Sequence, residues 1–344
     1  MNRKLVALAV VAGGVAVARR RSAASAASTS HPVATTTPTL PPTPAGRQRT
    51  VLTEDGVELA VTEHGATDAT ATVVLAHGYV QSSRLWAGQV RDLLDTRPDL
   101  RVVTYDHRGH GRSGLTPRER ATLEQLGRDL AAVVDAVAPT GPVVVGGHSM
   151  GGMTIMALAE QRPELFGERI VGAAFVGTSA GALSQVTYGL PVPAARALRK
   201  VLPKLHEAAV KAERKGKARK VGPMDARLIY PRGVDKDLVA LTLDVHRETS
   251  AETVAAFFAT FADHDRALAL SAIGHVPALV VVGDRDLLCP VDHSRAIHRA
   301  MPSSELVVFP RVGHMVHLER RAEVSRHLVA LLDRAVPRTS VTAA

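Results

Sequence analysis

Residues 143–152 read Val143-Val144-Val145-Gly146-Gly147-His148-Ser149-Met150-Gly151-Gly152, an apolar run that leads into Gly-x-Ser-x-Gly. The three valines are β-branched and uninterrupted, so they read as a strand buried on both faces. Residues 153–161 are mostly helix formers and stop before Pro163. The chain must turn sharply between that strand and that helix, and Ser149 sits on the turn. Gly147, Gly151 and Gly152 keep side chains out of it. A serine held in a strained turn, at the tip of a sheet and at a helix N-terminus, is a nucleophile elbow. The free N–H groups of the first helical turn can stabilise a developing oxyanion. A Gly-rich turn in a nucleotide-binding α/β protein would share the five residues. The strand before and the helix after favour the elbow.

Upstream, residues 51–53 and 57–62 flank Glu54-Asp55-Gly56, a hairpin signal. Residues 72–75 form the next strand, ending in His77-Gly78-Tyr79. A helix is expected over 85–94, and residues 102–105 are again a strand. An amphipathic helix is expected over 123–137, with apolar residues at 123, 126, 130, 133, 134 and 137. Downstream, strands are expected at 170–176, 278–282 and 306–309, with helices at 293–300 and 319–335. Strands alternating with helices predict an α/β fold: a mostly parallel central sheet flanked by helices.

From residue 178 to about 269 the alternation stops. Helices are expected at 194–202, 204–212, 236–245 and 252–261, with no strand between them. An insertion at this point would lie above the strand C-termini as a helical cap over Ser149. The organisation read from the sequence is thus a head (1–21), a linker (22–46), a core (47–177 and 270–338) and a cap (178–269).

The head begins Asn2-Arg3-Lys4 and continues with an apolar run over 5–18, too short and too rich in Ala and Gly for a firm membrane span. It fits the middle of a signal peptide, with Ala16-Val17-Ala18 resembling a cleavage site. Arg19-Arg20-Arg21 directly after the run opposes export of the downstream chain, so an uncleaved anchor with the enzyme on the cytoplasmic side is the rival reading. The expectation is a cell-envelope protein, exported or anchored, with a cytoplasmic protein as the alternative. The linker carries Pro32, Pro38, Pro41, Pro42 and Pro44 among Ser, Thr and Ala, which preclude regular structure.

The 344 residues suit one large α/β domain with an insertion, and the 46% hydrophobic and 22% charged content fits a full core. Aromatics are only 3%, so that core must rest on Val, Leu and Ala. The single cysteine, Cys289, excludes an intramolecular disulfide. The net charge of +9 is concentrated in Arg19–Arg21 and in residues 200–220. Such a balance permits contact with an anionic membrane surface. No nucleic-acid module is present, and the sequence leaves the oligomeric state open.

An activated serine needs a general base, and the base needs an orienting carboxylate. Two later loops can supply them. One is Gly283-Asp284-Arg285-Asp286 after a buried strand; the other is Val312-Gly313-His314. The order is Ser, Asp, His. With these motifs the chain resembles the α/β-hydrolases, in particular the capped serine esterases, lipases and carbon–carbon hydrolases. The resemblance runs over about 51–335 and rests on five motifs in order. It implies Ser149 as nucleophile, His314 as base and Asp286 as acid. It also implies an oxyanion hole from the backbone N–H groups of Tyr79 and Met150. Asp284 is the rival acid, though at the strand exit it would more naturally close the turn with its own backbone. His317 lacks a preceding glycine and reads as structural. His77 is expected to bond backbone, His148 to pack beside the nucleophile, and Trp86 to pack rather than line a pocket. Residues 106–113, Asp-His-Arg-Gly-His-Gly-Arg-Ser, read as scaffolding near the site.

The expected activity is cleavage of carboxylic esters through an acyl-enzyme, with no cofactor and no metal. The substrate would be a small-molecule ester or a lipid. An interfacial or monoacylglycerol-type lipase, a peracid-forming peroxidase and a carbon–carbon hydrolase use the same triad, and the cap would decide among them. Relatives that open epoxides or remove halides place a carboxylate at the elbow, where this chain has Ser149. His107, His110 and one cysteine make no recognisable metal set, and no phosphate-binding Gly-rich loop is present. A ligand-binding protein would keep the fold, but such proteins often lose a triad member, and all three are here.

Overall fold

The computed structural model describes residues 44–337. The apolar head and all but the last residues of the Pro-rich linker lie outside the described residues. The eight strands are β1 (Arg47–Leu52), β2 (Glu58–Gly65), β3 (Ala71–Ala76), β4 (Leu100–Tyr105), β5 (Val143–His148), β6 (Ile170–Val176), β7 (Ala278–Gly283) and β8 (Glu305–Phe309). They form one sheet in the order β1-β2-β4-β3-β5-β6-β7-β8. The β1–β2 and β2–β4 pairs are antiparallel, and every pair from β4–β3 onward is parallel. Glu54-Asp55-Gly56 makes the expected hairpin, with Gly56 N–H donating to Thr53 O at 3.0 Å.

The three valines of β5 show why this sheet needs helices on both sides. Val143 and Val145 join a core with Leu130, Val133 and Val134 of α2 (Leu123–Val137) and with Ile155 and Met156 of α3 (Met150–Gln161). Val144 points the other way. It packs in a core that holds Val90 and Leu93 of α1 (Ala87–Thr96) and Leu328, Leu331 and Leu332 of the C-terminal helix (Arg321–Ala335). Successive strand residues face opposite sides, so an all-valine strand is stable only between two apolar layers. Each such side chain contributes about 1.5–3 kcal/mol when fully buried. Thr122 caps α2 by accepting from Gln125 N–H at 3.1 Å, which sets its start where the apolar period begins.

Between β6 and β7 the longer elements are helices: α4 (Val192–Glu213), α5 (Pro223–Ile229), α6 (Lys236–Glu248) and α7 (Ala251–Thr260). The two helices expected at 194–202 and 204–212 are one helix with Pro203 inside it. Proline removes one ladder bond, but Ala195, Leu202, His206 and Val210 are buried along one side and hold the two halves in line. Helix α5 lies where the sequence reading places no helix. Its signals are local, with Pro223 in the first turn and the Asp225 carboxylate accepting from Gly222 N–H at 2.8 Å. Beyond these come α8 (Val291–Ala300) and α9, the C-terminal helix of residues Arg321–Ala335. Among the described residues no helix is long and apolar enough to cross a membrane.

Candidate active site

β3 and β6 flank β5 in parallel, so the loops that leave β3, β5 and β6 emerge side by side. Open parallel sheets bind ligands at that edge. Ser149 is the residue between β5 and α3, with φ 51° and ψ −116°. That is left-handed backbone at a non-glycine residue, the strain expected of an elbow. The close turn explains its glycines. A Cβ on Gly147 would lie 2.3 Å from the Gly151 carbonyl carbon, and one on Gly151 2.2 Å from the Ala76 carbonyl oxygen. The strained serine is held by its own backbone: its N–H donates to Val176 O at 2.9 Å and its C=O accepts from Thr178 Oγ1 at 2.7 Å.

Asp286 and His314 meet. His314 Nδ1 lies 2.8 Å from Asp286 Oδ2, and both residues are buried. The other carboxylate oxygen of Asp286 accepts from the N–H groups of Leu288 and Cys289, each at 2.8 Å. Both oxygens of the Asp286 carboxylate are therefore engaged. Asp284 does not approach His314; its Oδ1 accepts from Arg311 N–H at 2.6 Å. It closes a contact with the loop after β8, not a turn on its own backbone as its place in the sequence suggested. Among the described residues no hydrogen bond joins the Ser149 hydroxyl to His314; such contacts tighten when substrate is bound.

The loop after β3 is a tight turn with Val80 at φ 61°. Gly78 N–H donates to Gln81 Oε1 at 3.1 Å, Val80 N–H to His110 Nε2 at 3.2 Å and Gln81 N–H to Gly78 O at 3.3 Å. Among the described residues the Tyr79 N–H has no such partner. The Met150 N–H opens the first turn of α3, where backbone donors have no partner within the helix. The Tyr79 side chain reaches α7, where its hydroxyl donates to Val254 O.

Buried histidines crowd this edge and the segment above it, and their roles separate. His77 bonds backbone, as expected: Nδ1 donates to Gly78 O at 2.7 Å and Nε2 accepts from His107 N–H at 2.9 Å. Burial holds His77 and His107 below the ordinary imidazole range and takes His110 down to about 3. Burial likewise brings His317 to about 3; its ring packs 4.7 Å from Trp86 and 4.3 Å from His148. Trp86 is fully buried in the core beneath the site, away from the cavity. The segment 106–113 is scaffold. Arg108 is buried and grips both oxygens of Asp129 at 2.6 Å and both of Asp55 at 2.8 and 2.9 Å, tying the first hairpin to α2. Burial and the Asp286 carboxylate push the Cys289 thiol well up, so it stays protonated and is not a competing nucleophile. No group of His, Cys, Asp and Glu among the described residues could hold a metal.

Ser149 lines a cavity of about 320 Å³. Tyr79 and Met153 line it from the sheet side; Leu183, Tyr188, Leu202, Leu228 and Phe258 are among the residues that line it from the segment between β6 and β7. Among the described residues Arg199 is its one charged lining residue. Nothing local in the sequence marks these positions, because they converge from separate elements. The basic run splits. Arg214 pairs with Glu252 at 2.9 Å, and half-buried Arg219 turns inward to donate to Thr249 O at 3.0 Å. Lys200, Lys204, Lys211, Lys215, Lys217 and Lys220 are exposed.

The chain is similar to known proteins in sequence and in fold. The chain is 30% identical over 266 residues to the Monoacylglycerol lipase of Mycolicibacterium smegmatis, covering 74% of this chain and 84% of that protein. It superposes on a thermophilic esterase from Thermogutta terrifontis with a TM-score of 0.63 at 25% identity, covering 84% of this chain and 99% of that one. With the enol-lactonase from Burkholderia xenovorans the TM-score is 0.64 at 25% identity, covering 83% and 99%. Residues 67–321 match the protein family described as Serine aminopeptidase, S33, and the chain belongs to that α/β-hydrolase family.

Proposed function

We propose that the chain hydrolyses carboxylic esters with apolar acyl groups through an acyl-enzyme on Ser149. The observation that carries this reading is the buried Asp286–His314 hydrogen bond of 2.8 Å, beside a strained serine that opens into an apolar cavity. In the proposed reaction the Ser149 hydroxyl attacks the ester carbon while His314 takes its proton. Asp286 holds the imidazole in the right tautomer and stabilises its charge. The tetrahedral oxyanion is met by the N–H groups of Tyr79 and Met150, donors already oriented before the charge forms. His314 protonates the leaving alcohol, then activates a water that releases the acid. The helical segment between β6 and β7 acts as a cap that selects the acyl chain. The monoacylglycerol lipase relative points to a lipid monoester as the substrate class.

The test is covalent labelling with a fluorophosphonate probe, together with a panel of ester, lactone and amide substrates. Ser149→Ala should abolish labelling and ester turnover. Labelling at another serine would overturn the assignment.

A second reading, an enzyme that works at an anionic lipid surface, has its own support in α4. Leu198, Leu202 and Pro203 of this helix line the cavity, while Lys200, Lys204 and Lys211 are exposed with Val201 near them. An exposed, lysine-bearing helix face beside the cavity suits an anionic interface. It accords with an envelope location conferred by the N-terminal head. Turnover that rises with anionic but not with zwitterionic vesicles would support it, and no response to either would remove it.

A further inference from the structure

Two buried side chains at this site have no part in the proton transfers, yet they join all three of its loops. Gln81 is 3% exposed and His148 is fully buried. Gln81 Oε1 accepts from Gly78 N–H at 3.1 Å, on the loop after β3. His148 is the last residue of β5, directly before Ser149. Its Nδ1 lies 3.1 Å from that same Gln81 oxygen. Its Nε2 lies 3.0 Å from the backbone carbonyl oxygen of His314, and the two imidazole rings are 4.7 Å apart. Little slack exists: a Cβ on Gly78 would fall 2.9 Å from Gln81 Oε1 and 2.9 Å from His148 Nδ1. On its other side the His314 backbone N–H donates to Ile229 O at 2.8 Å. The base's main chain is thus held between α5 and His148.

We infer that Gln81 and His148 are positioning residues, a single hydrogen-bonded bridge that sets the oxyanion loop, the nucleophile and the base at fixed spacing. This rests on the ester-hydrolase reading above. The bridge runs from Gln81, on the loop after β3, through the His148 ring to the His314 carbonyl. A neutral imidazole carries one N–H and donates to one of the two oxygens at a time. When it donates from Nε2 to His314, the Gln81 amide can turn and donate its own N–H to His148 Nδ1. When it donates from Nδ1 to Gln81, the amide keeps the Gly78 N–H. With the proton on Nδ1 the ring leaves the His314 carbonyl, so the form that joins all three loops carries the proton on Nε2 and takes an N–H from Gln81, itself a residue of the loop after β3. Small displacements of reacting groups cost much rate, so a bridge of this kind belongs to turnover more than to substrate affinity.

The experiment compares Gln81→Met, His148→Leu, His148→Gln and the double variant Gln81→Met/His148→Leu in the full chain. Gln81→Met keeps shape and removes the amide, and His148→Gln keeps a donor for the His314 carbonyl. Rates on a short-chain p-nitrophenyl ester are taken per site titrated with a fluorophosphonate, so only folded protein counts. Gln81→Met and His148→Leu should each lower kcat by about tenfold or more, with KM within about twofold of the parent. His148→Gln should recover most of the loss, and the double variant should be no worse than the worse single, because one device is broken once. Unchanged kcat in the single variants overturns the proposal, as does full additivity in the double. If His148→Leu does not fold, Gln81→Met decides alone, since a kcat equal to the parent removes the bridge. An unmodified chain that cleaves no ester and takes no label would instead overturn the functional reading.

Discussion

The Tyr79 hydroxyl donates to the backbone carbonyl of Val254, at 2.5 Å, so the loop proposed to hold the oxyanion is tied to helix α7. The same ring packs edge-on against Phe261 with centroids 5.1 Å apart. α7 also contributes Phe258 and Ala259 to the cavity wall. In the proposed reaction, the acyl cavity and the oxyanion loop therefore share one element. Tyr79→Phe keeps the ring and the backbone donor but releases this tie. It should lower kcat on esters that fill the cavity by about fivefold, the worth of one hydrogen bond of ~1 kcal/mol. A two-carbon acyl ester should be little affected. Initial rates across chain lengths decide it, and an equal loss for every ester would separate Tyr79 from α7.

Asp286 and Asp284 are two residues apart and have different partners. Asp286 meets His314, and Asp284 meets the Arg311 N–H. Asp286→Asn should reduce turnover by about three to four orders of magnitude, because the imidazole loses its orienting acceptor. Asp284→Asn should keep turnover and cost about 1 kcal/mol in stability. Steady-state rates and melting curves of both variants are the readout. An inactive, well-folded Asp284→Asn would reverse the assignment.

Phe258, Pro203 and Ala259 line both the Ser149 cavity and a neighbouring one of about 480 Å³ that also carries Arg118, Glu207 and Arg266. The Phe258 ring packs 4.5 Å from His206 on α4. Phe258→Ala removes most of the divider. The preferred p-nitrophenyl ester should move to longer chains, with kcat/KM for the shortest falling by about tenfold as packing around the acyl chain is lost. A chain-length profile that superposes on the parent's would show that the divider does not limit the substrate.

Glu319 holds the Gly313 N–H at 2.9 Å, one residue before His314. Burial pushes its carboxyl up to about 7 from 4.5. The folded chain therefore binds this proton more tightly than the unfolded chain. That stabilisation is complete below pH 4.5 and is lost as pH rises through 7. Glu319→Gln keeps an acceptor for Gly313 without a charge. It should raise Tm at pH 8 relative to the parent and change it little at pH 5, in melts run at both values with about the same salt. An equal change at both pH values would place the protonation elsewhere.

Much of the scaffold could be read along the chain because its causes are local. The helix at Leu123–Val137 and the strand at Ile170–Val176 form where periodicity and apolar runs put them. The elbow declares itself through glycines that no other residue could replace. Pro203 misled, because a local rule breaks helices there while burial of Leu202, His206 and Val210 keeps one helix running.

The order of the elements, the α/β class and the elbow serine are legible along the chain, because apolar period, turn chemistry and short motifs are properties of neighbouring residues, and the resemblance they carry nominated His314 and Asp286. Which aspartate meets the histidine emerged from the packing of the two loops. Only the tertiary structure showed that Tyr79 reaches α7, that His148 touches the His314 carbonyl, and which side chains wall the cavity. Those contacts join residues far apart in the chain, from Tyr79 with Val254 to His148 with His314, and no local pattern encodes a distance across a sheet edge.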